Sequence, residues 1–224
     1  MTAPTYLHLY FLLDRSGSME TIATDIIGGV NSFVTQQRAD GRDACMTFVQ
    51  FDSQDPFEVM SDAVSLDAFT PLTAATFSPR GGTPLFDAIG GTIKRATERE
   101  AARKAAGEDP EEILVVIVTD GEENSSTNYS KDAIADLITA KEALGWTFAY
   151  LGANQDAFAV GRDLGFSRGN VSNFIADEDG TAAVFSDLSS NISRKRAMMR
   201  SGIAYSKADL LEDHTAQDDF EERA

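Results

Sequence analysis

Six apolar residues, Ile-Leu-Val-Val-Ile-Val at 113–118, run without interruption and stop at Thr119-Asp120-Gly121. A β-branched and leucine run with no polar alternation marks a central strand covered on both faces. A second apolar run, residues 6–13, has the same buried profile and ends at Asp14. Two such strands need helices above and below them, and the remaining sequence supplies those helices in alternation.

Ile22, Ile26, Ile27, Val30, Phe33 and Val34 recur at helical spacing, and Gly41 closes that helix. Residues 44–51 read as a strand. Residues 57–60 read as a short third strand followed by turn residues, which suits an edge. Thr83-Pro84 opens the next helix, with threonine as N-cap and proline where no hydrogen bond is lost. Leu85, Phe86, Ile89, Ile93 and Ala96 form its apolar face, and it continues to Gly107. Ser130 caps a helix carrying Ile134, Leu137, Ile138 and Leu144, with Gly145 as its stop. A strand at 146–151, a short helix at 155–164 and a strand at 171–175 follow. The last helix carries Val184, Leu188 and Ile192, with Arg194, Lys195, Arg196 and Arg200 near its end, where cations suit the helix dipole. Strands alternating with helices indicate an α/β fold with a mainly parallel sheet. One domain over residues 1–206 accounts for the pattern, followed by an acidic C-terminal tail at 207–224 that is expected to be flexible.

The 224 residues carry 36 acidic against 19 basic side chains, a formal net charge of -17. Such a field repels nucleic acid and anionic membrane and favours cations and basic protein surfaces. Much of the excess lies in solvated segments, where solubility explains it equally well. Cys45 is the one cysteine, so no intrachain disulfide framework exists, and its mid-strand position reads as an inert buried thiol. No segment approaches the roughly 18–20 apolar residues of a membrane span. No basic residue precedes the first apolar run, so the N-terminus does not read as a signal peptide. A cytoplasmic protein is expected.

Ligands of open α/β sheets sit beyond the carboxyl ends of the strands, where strand order reverses. With the order 3-2-1-4-5-6, the strands ending at Asp14 and Asp120 are neighbours flanking that point. Ser16 and Ser18 leave the first strand in the same loop as Asp14. Thr83 enters from the loop before the proline-started helix, where Gly81 and Gly82 let the backbone bend close. Asp14, Ser16, Ser18, Thr83 and Asp120 would then supply two carboxylates and three hydroxyls. Hard oxygen donors suit Mg²⁺, Mn²⁺ or Ca²⁺, and the lack of a His or Cys cluster in the sequence argues against zinc. With so few carboxylates the cation stays positive, and a partner's carboxylate is a natural further ligand.

The segments Asp-Arg-Ser-Gly-Ser at 14–18, Gly-Gly-Thr-Pro at 81–84 and Val-Thr-Asp-Gly at 118–121 resemble the metal-ion-dependent adhesion site of the von Willebrand factor type A domain. Asp14, Ser16 and Ser18 match its DxSxS element, Thr83 its threonine and Asp120 its last aspartate. DxSxS alone is a weak pattern; three spaced elements in a matching βα alternation are specific. By element order the resemblance covers residues 6–200. It implies a three-layer Rossmann-like doubly wound sheet, helices on both faces and one short antiparallel edge strand. It also implies a domain that binds proteins through the metal, Mg²⁺ first with Mn²⁺ or Ca²⁺ as alternatives, rather than catalysing a reaction. The chain looks like compact intracellular bacterial members, which often work beside AAA+ ATPases, chelatase-type machines, phosphatases or stress-resistance proteins.

Two other functions compete. A Mg²⁺-dependent phosphoryl-transfer enzyme of similar shape would use an Asp nucleophile with a second Asp two residues on, and that position is Ser16. No GxxxxGK[ST] loop is present. A structural subunit whose metal only stabilises the fold is the third reading. Glu122 and Glu123 read as a solvated loop, with a second cation site as the alternative. Asn154, Gln155 and Asp156 either meet a partner at the rim or cap the next helix. His8 and His214 have no spaced partner for catalysis or zinc, Trp146 anchors the core, and Gly28-Gly29 implies close packing of the first helix.

Overall fold

The computed structural model describes residues 5–153 and 156–211. Asn154, Gln155 and the segment 212–224, which includes His214, lie outside the described residues. Six strands, β1 (Leu7–Asp14), β2 (Ala44–Phe51), β3 (Glu58–Ser65), β4 (Glu112–Thr119), β5 (Thr147–Ala153) and β6 (Val171–Phe174), form one sheet in the order β3-β2-β1-β4-β5-β6. All neighbours are parallel except β2 and β3. The helices are α1 (Ala23–Ala39), α2 (Leu85–Ala106), α3 (Lys131–Ala143), α4 (Ala157–Asp163) and α5 (Glu178–Arg200). This is the mainly parallel α/β sheet expected from the alternation of elements, in the three-layer Rossmann-like form that the resemblance implies. No helix among the described residues is long and apolar enough to cross a membrane.

The side-chain period of two splits each central strand between two cores. Leu9, Phe11 and Leu13 of β1 join Leu114, Val116 and Val118 of β4 under α1 and α5. Tyr10 and Leu12 join Ile113, Val115 and Ile117 under α2 and α3. The unbroken apolar run of β4 is thus two faces read in one line.

Three expectations need correction. The edge strand β3 has 8 residues rather than the short stretch at 57–60. Its pairing with β2 shifts register around Phe48, and Ala63 stands at φ 49 with its amide donating to the Thr47 hydroxyl at 3.0 Å. A bulge and a left-handed residue break the alternation that would have marked the strand. Thr83 does not cap α2. The first amides of that helix are met from a distant loop, Phe86 N–H by the Glu123 carboxylate at 2.9 Å and Asp87 N–H by the Ser126 hydroxyl at 3.0 Å. Lys195 and Arg196 are buried rather than serving the dipole of α5. Lys195 pairs with Glu112 at 3.2 Å and donates to Thr147 at 2.9 Å. Arg196 pairs with Asp43 and donates to the Gln37 carbonyl at 2.7 Å.

Residues 207–211, where the tail was expected to begin, lie against the body. Lys207 pairs with Glu112 at 2.9 Å, Leu210 and Leu211 are buried, and Leu211 N–H donates to the Gly169 carbonyl at 2.7 Å.

The two glycines of α1 differ in environment. A Cβ on Gly29 would lie 2.3 Å from the Phe185 ring, whereas one on Gly28 meets nothing within 4 Å. Gly29 is the close approach of α1 to α5; Gly28 is an exposed helix glycine. Gly28→Ala is expected to raise unfolding free energy by about 0.5–1 kcal/mol through lost chain entropy. Gly29→Ala should lower it by about 1–3 kcal/mol through overpacking. Urea denaturation of both variants checks this, and equal effects would contradict the packing.

Candidate metal centre

The crevice between the ends of β1 and β4 is built by strand register. Leu13 pairs with Val118, which sets Asp14 beside Thr119 and Asp120 just beyond. The Thr119 hydroxyl donates to Asp14 Oδ2 at 2.6 Å, and the Ser16 amide donates to Asp14 Oδ1 at 2.7 Å. Both bonds hold the Asp14 side chain in the crevice. The Ser16 and Ser18 hydroxyls lie 3.1 Å apart, and Ser18 donates to Asp120 Oδ1 at 2.6 Å. Asp14, Ser16 and Thr83 are buried, Asp120 is half-buried and Ser18 is exposed, so the floor is closed and the mouth open.

Thr83 reaches the same point from the α2 side. A Cβ built on Gly121 would lie 2.9 Å from Thr83 Oγ1, 3.3 Å from Ser18 Oγ and 3.8 Å from Asp14 Oδ2. Three oxygens from two segments, the 14–18 loop and the Thr83 loop, therefore crowd one glycine, which only the absence of a side chain permits. Thr83 is held by exchange with Asn124: its amide donates to Asn124 Oδ1 at 2.8 Å, and Asn124 N–H donates to its carbonyl at 3.1 Å. Because Glu123 and Ser126 cap α2, the Thr83 hydroxyl is not needed there.

Burial pushes the Asp14 carboxyl up to about 6, against the hydrogen bonds from Thr119 and Ser16 that pull it down. Burial also raises Asp120, opposed by the bond from Ser18. Among the described residues neither carboxylate forms an ion pair. Two converging carboxylates with hydroxyls and no protein cation form a donor set fit for a hard divalent ion.

A charge network fixes the loop from outside. Arg15, nearly buried, donates from Nε to Asp52 Oδ2 at 2.7 Å and from Nη1 to Gln50 at 3.1 Å, and pairs with Glu58 at 2.7 Å. Arg80 adds a bond to Asp52 at 3.0 Å, and its amide donates to the Arg15 carbonyl at 2.8 Å. Gly17 N–H donates to the Gly81 carbonyl at 3.0 Å. The serine loop, the β2–β3 loop and the Gly81 loop are thereby one unit.

Sequence reasoning missed Thr119, Asn124, Glu123 and the Arg15–Asp52 pair. Glu123 is not simply solvated: it accepts from Phe86, Ser125 and Ser126 and organises the loop. Only Thr119 carried a signal, its place beside Asp120 in the strand's last position. Asp156 caps α4, accepting from Ala159 N–H at 2.9 Å, while its expected rim neighbours Asn154 and Gln155 lie outside the described residues.

The opposite end of the sheet holds a second cluster that the sequence did not reveal. One donor atom each of His8, Cys45 and Glu111 lie within 4.8 Å of one another. His8 hydrogen bonds to Glu111 at 3.1 Å and to Thr47 at 2.9 Å. Arg99 donates to both Glu111 oxygens, at 2.9 and 2.8 Å, and Arg103 lies 3.3 Å away. Burial pushes the Cys45 thiol up to about 12, with Glu111 adding to it. These donors already have partners, and two guanidinium groups oppose a cation there.

A family model described as the von Willebrand factor type A domain matches residues 8–190. No curated protein matches the chain. Among solved structures, the pilus adhesin SpaC from Lactobacillus rhamnosus GG aligns with TM-score 0.64 and 13% identity, covering 87% of this chain and 31% of SpaC. The manganese-loaded TRAP protein of Plasmodium vivax aligns with TM-score 0.54 and 16% identity, over 82% of this chain and 73% of TRAP. A von Willebrand factor type A protein from Catenulispora acidiphila aligns with TM-score 0.55 and 16% identity, over 87% of this chain and 43% of that protein. This chain spans about a third of SpaC and under half of the Catenulispora protein. At these identities the likeness is one of fold.

A carboxyl raised from 3.8 to about 6 on folding binds its proton more tightly in the native state. Native stability from this group is therefore present at low pH and is lost as pH rises from about 4 to 6. In chelator at pH 7, Asp14→Asn is expected to raise unfolding free energy by roughly 1–3 kcal/mol. At pH 4 the gain should vanish. Denaturation at the two pH values checks the sign, and destabilisation by Asp14→Asn at pH 7 would contradict it.

Proposed function

The chain belongs to the von Willebrand factor type A family, and on that premise we propose that it is a metal-dependent protein-binding module. Asp14, Ser16, Ser18, Thr83 and Asp120 hold a divalent cation, Mg²⁺ first, with Mn²⁺ or Ca²⁺ as substitutes. The cation supplies a positive centre with a position open to an external oxygen. The partner is a protein that offers a carboxylate to it. The observation that carries this reading is the pair of carboxylates Asp14 and Asp120 beside three hydroxyls, with no lysine or arginine paired to either among the described residues. The manganese in the TRAP structure, a protein of the same fold, is consistent with it.

Binding is favoured over phosphoryl transfer because Ser16 stands where the second acid of such an enzyme is needed. We place the chain in the cytoplasm, as a subunit of a larger complex such as an AAA+ ATPase assembly.

Ligand that binds only the native state raises stability by mass action, about 2.7 kcal/mol at a hundredfold excess over Kd. Mg²⁺ should raise the melting temperature of the wild-type chain and leave that of Asp14→Ala unchanged. Pull-down from the source cell with and without chelator should lose the same partner that Asp14→Ala loses. Capture that survives both treatments would sink the metal bridge.

A further inference from the structure

Beside the crevice lies a pocket of about 210 Å³, between the start of α2, the loop after β4 and α4. Leu85, Phe86, Tyr150, Val160 and Leu164 wall it. Leu85, Tyr150 and Leu164 are buried, so its floor is apolar and fixed by the core, while Phe86 and Val160 are half-buried at its opening. Clefts for small molecules and cofactors begin near 300 Å³. This pocket is smaller and has room for one large side chain.

Gly121 joins pocket and crevice. A Cβ built on it would lie against the oxygens of Thr83, Ser18 and Asp14, and the same residue lines the pocket. Glu123 also lines the pocket, with its carboxylate engaged by the amides of Phe86, Ser125 and Ser126. The rim carries exposed Glu122 and the exposed pair Lys131–Asp163 at 3.1 Å. Two acids against one base at the rim match the -17 charge of the whole chain. A carboxylate approaching this field is repelled unless the segment carrying it is otherwise basic.

We infer that the metal face and this pocket form one docking surface. Its occupant is a partner-protein segment that pairs the carboxylate on the metal with a neighbouring bulky aliphatic or aromatic side chain in the pocket, amid basic residues. This rests on the metal-binding reading above. The metal fixes one point of the partner, and the pocket fixes the second, which gives the segment direction and selects among the many acidic residues on any protein surface.

The test uses a displayed library of random peptides with one fixed central glutamate, panned against the full chain in Mg²⁺ and in chelator. The expected peptides are enriched only in Mg²⁺, with Leu, Ile, Met or Phe at one constant distance from the glutamate and Lys or Arg elsewhere. Val160→Glu places a charge at the pocket opening and should weaken an enriched peptide by at least about tenfold in Kd. Calorimetric Mg²⁺ affinity should not change in that variant, which also shows that it is folded. Val160→Ala should shift the preferred apolar residue toward larger ones. Mg²⁺-dependent peptides with no apolar position, no enrichment, or unchanged peptide affinity in Val160→Glu would overturn the pocket and leave Mg²⁺ binding to be judged by calorimetry. Enrichment indifferent to chelator would overturn the metal reading itself, and the pocket inference with it.

Discussion

The parallel pairing of β1 with β4 is the constraint on which the rest of the molecule depends. It places a carboxylate at the end of one buried strand against the hydroxyl at the end of the next, Asp14 against Thr119 at 2.6 Å. A buried anion without a counter-ion is costly, and hydrogen bonds offset only part of that cost. Burial raises Asp14 to about 6 even with its hydrogen bonds intact. A sheet built this way stores an electrostatic debt at the one point where its topology leaves the crevice open. The divalent cation of the proposed function would offset that cost, so fold and proposed chemistry are hard to separate here.

The two ends of the sheet solve charge differently. At the carboxyl ends of the strands Asp14 and Asp120 converge without an ion pair among the described residues, while Arg15 and Arg80 both engage Asp52 and keep the loops in place. At the amino ends the acids are matched: buried Glu112 by Lys195 and Lys207, half-buried Glu111 by Arg99 and Arg103, and half-buried Asp43 by Arg196. Burial alone would raise Glu111, yet the bonds from Arg99 and His8 hold it at about 2. The contrast between a compensated and an uncompensated end separates scaffold from site more clearly than any single residue does.

The central strands and the places of Asp14, Ser16, Ser18, Thr83 and Asp120 on loop ends were legible because they follow from local periodicity and from short motifs, while the sheet order came from the common order of such folds and from the resemblance. What was not legible depends on contacts between distant segments. The length of β3 was hidden by a bulge at Phe48 and by Ala63 at φ 49, which break the alternation. The capping of α2 by Glu123 crosses 37 positions, so Thr83-Pro84 looked like an ordinary helix start. Lys195 and Arg196 looked like dipole complements because their acidic partners are 83 positions and more away in the chain, at Glu112 and Asp43. The grouping of His8 with Cys45 and Glu111 likewise exists only once β1, β2 and β4 are aligned.

The clip of Lys207 onto Glu112 and the seating of Leu210 and Leu211 near Gly169 have an architectural consequence. β1 starts at Leu7 on the same edge of the sheet where Glu112 begins β4, so the described chain enters and leaves at one edge. The crevice is at the other. The first strand and the last described residues therefore meet on the side away from the crevice, where the Lys207 pair with Glu112 ties segments nearly a hundred positions apart to neighbouring strands.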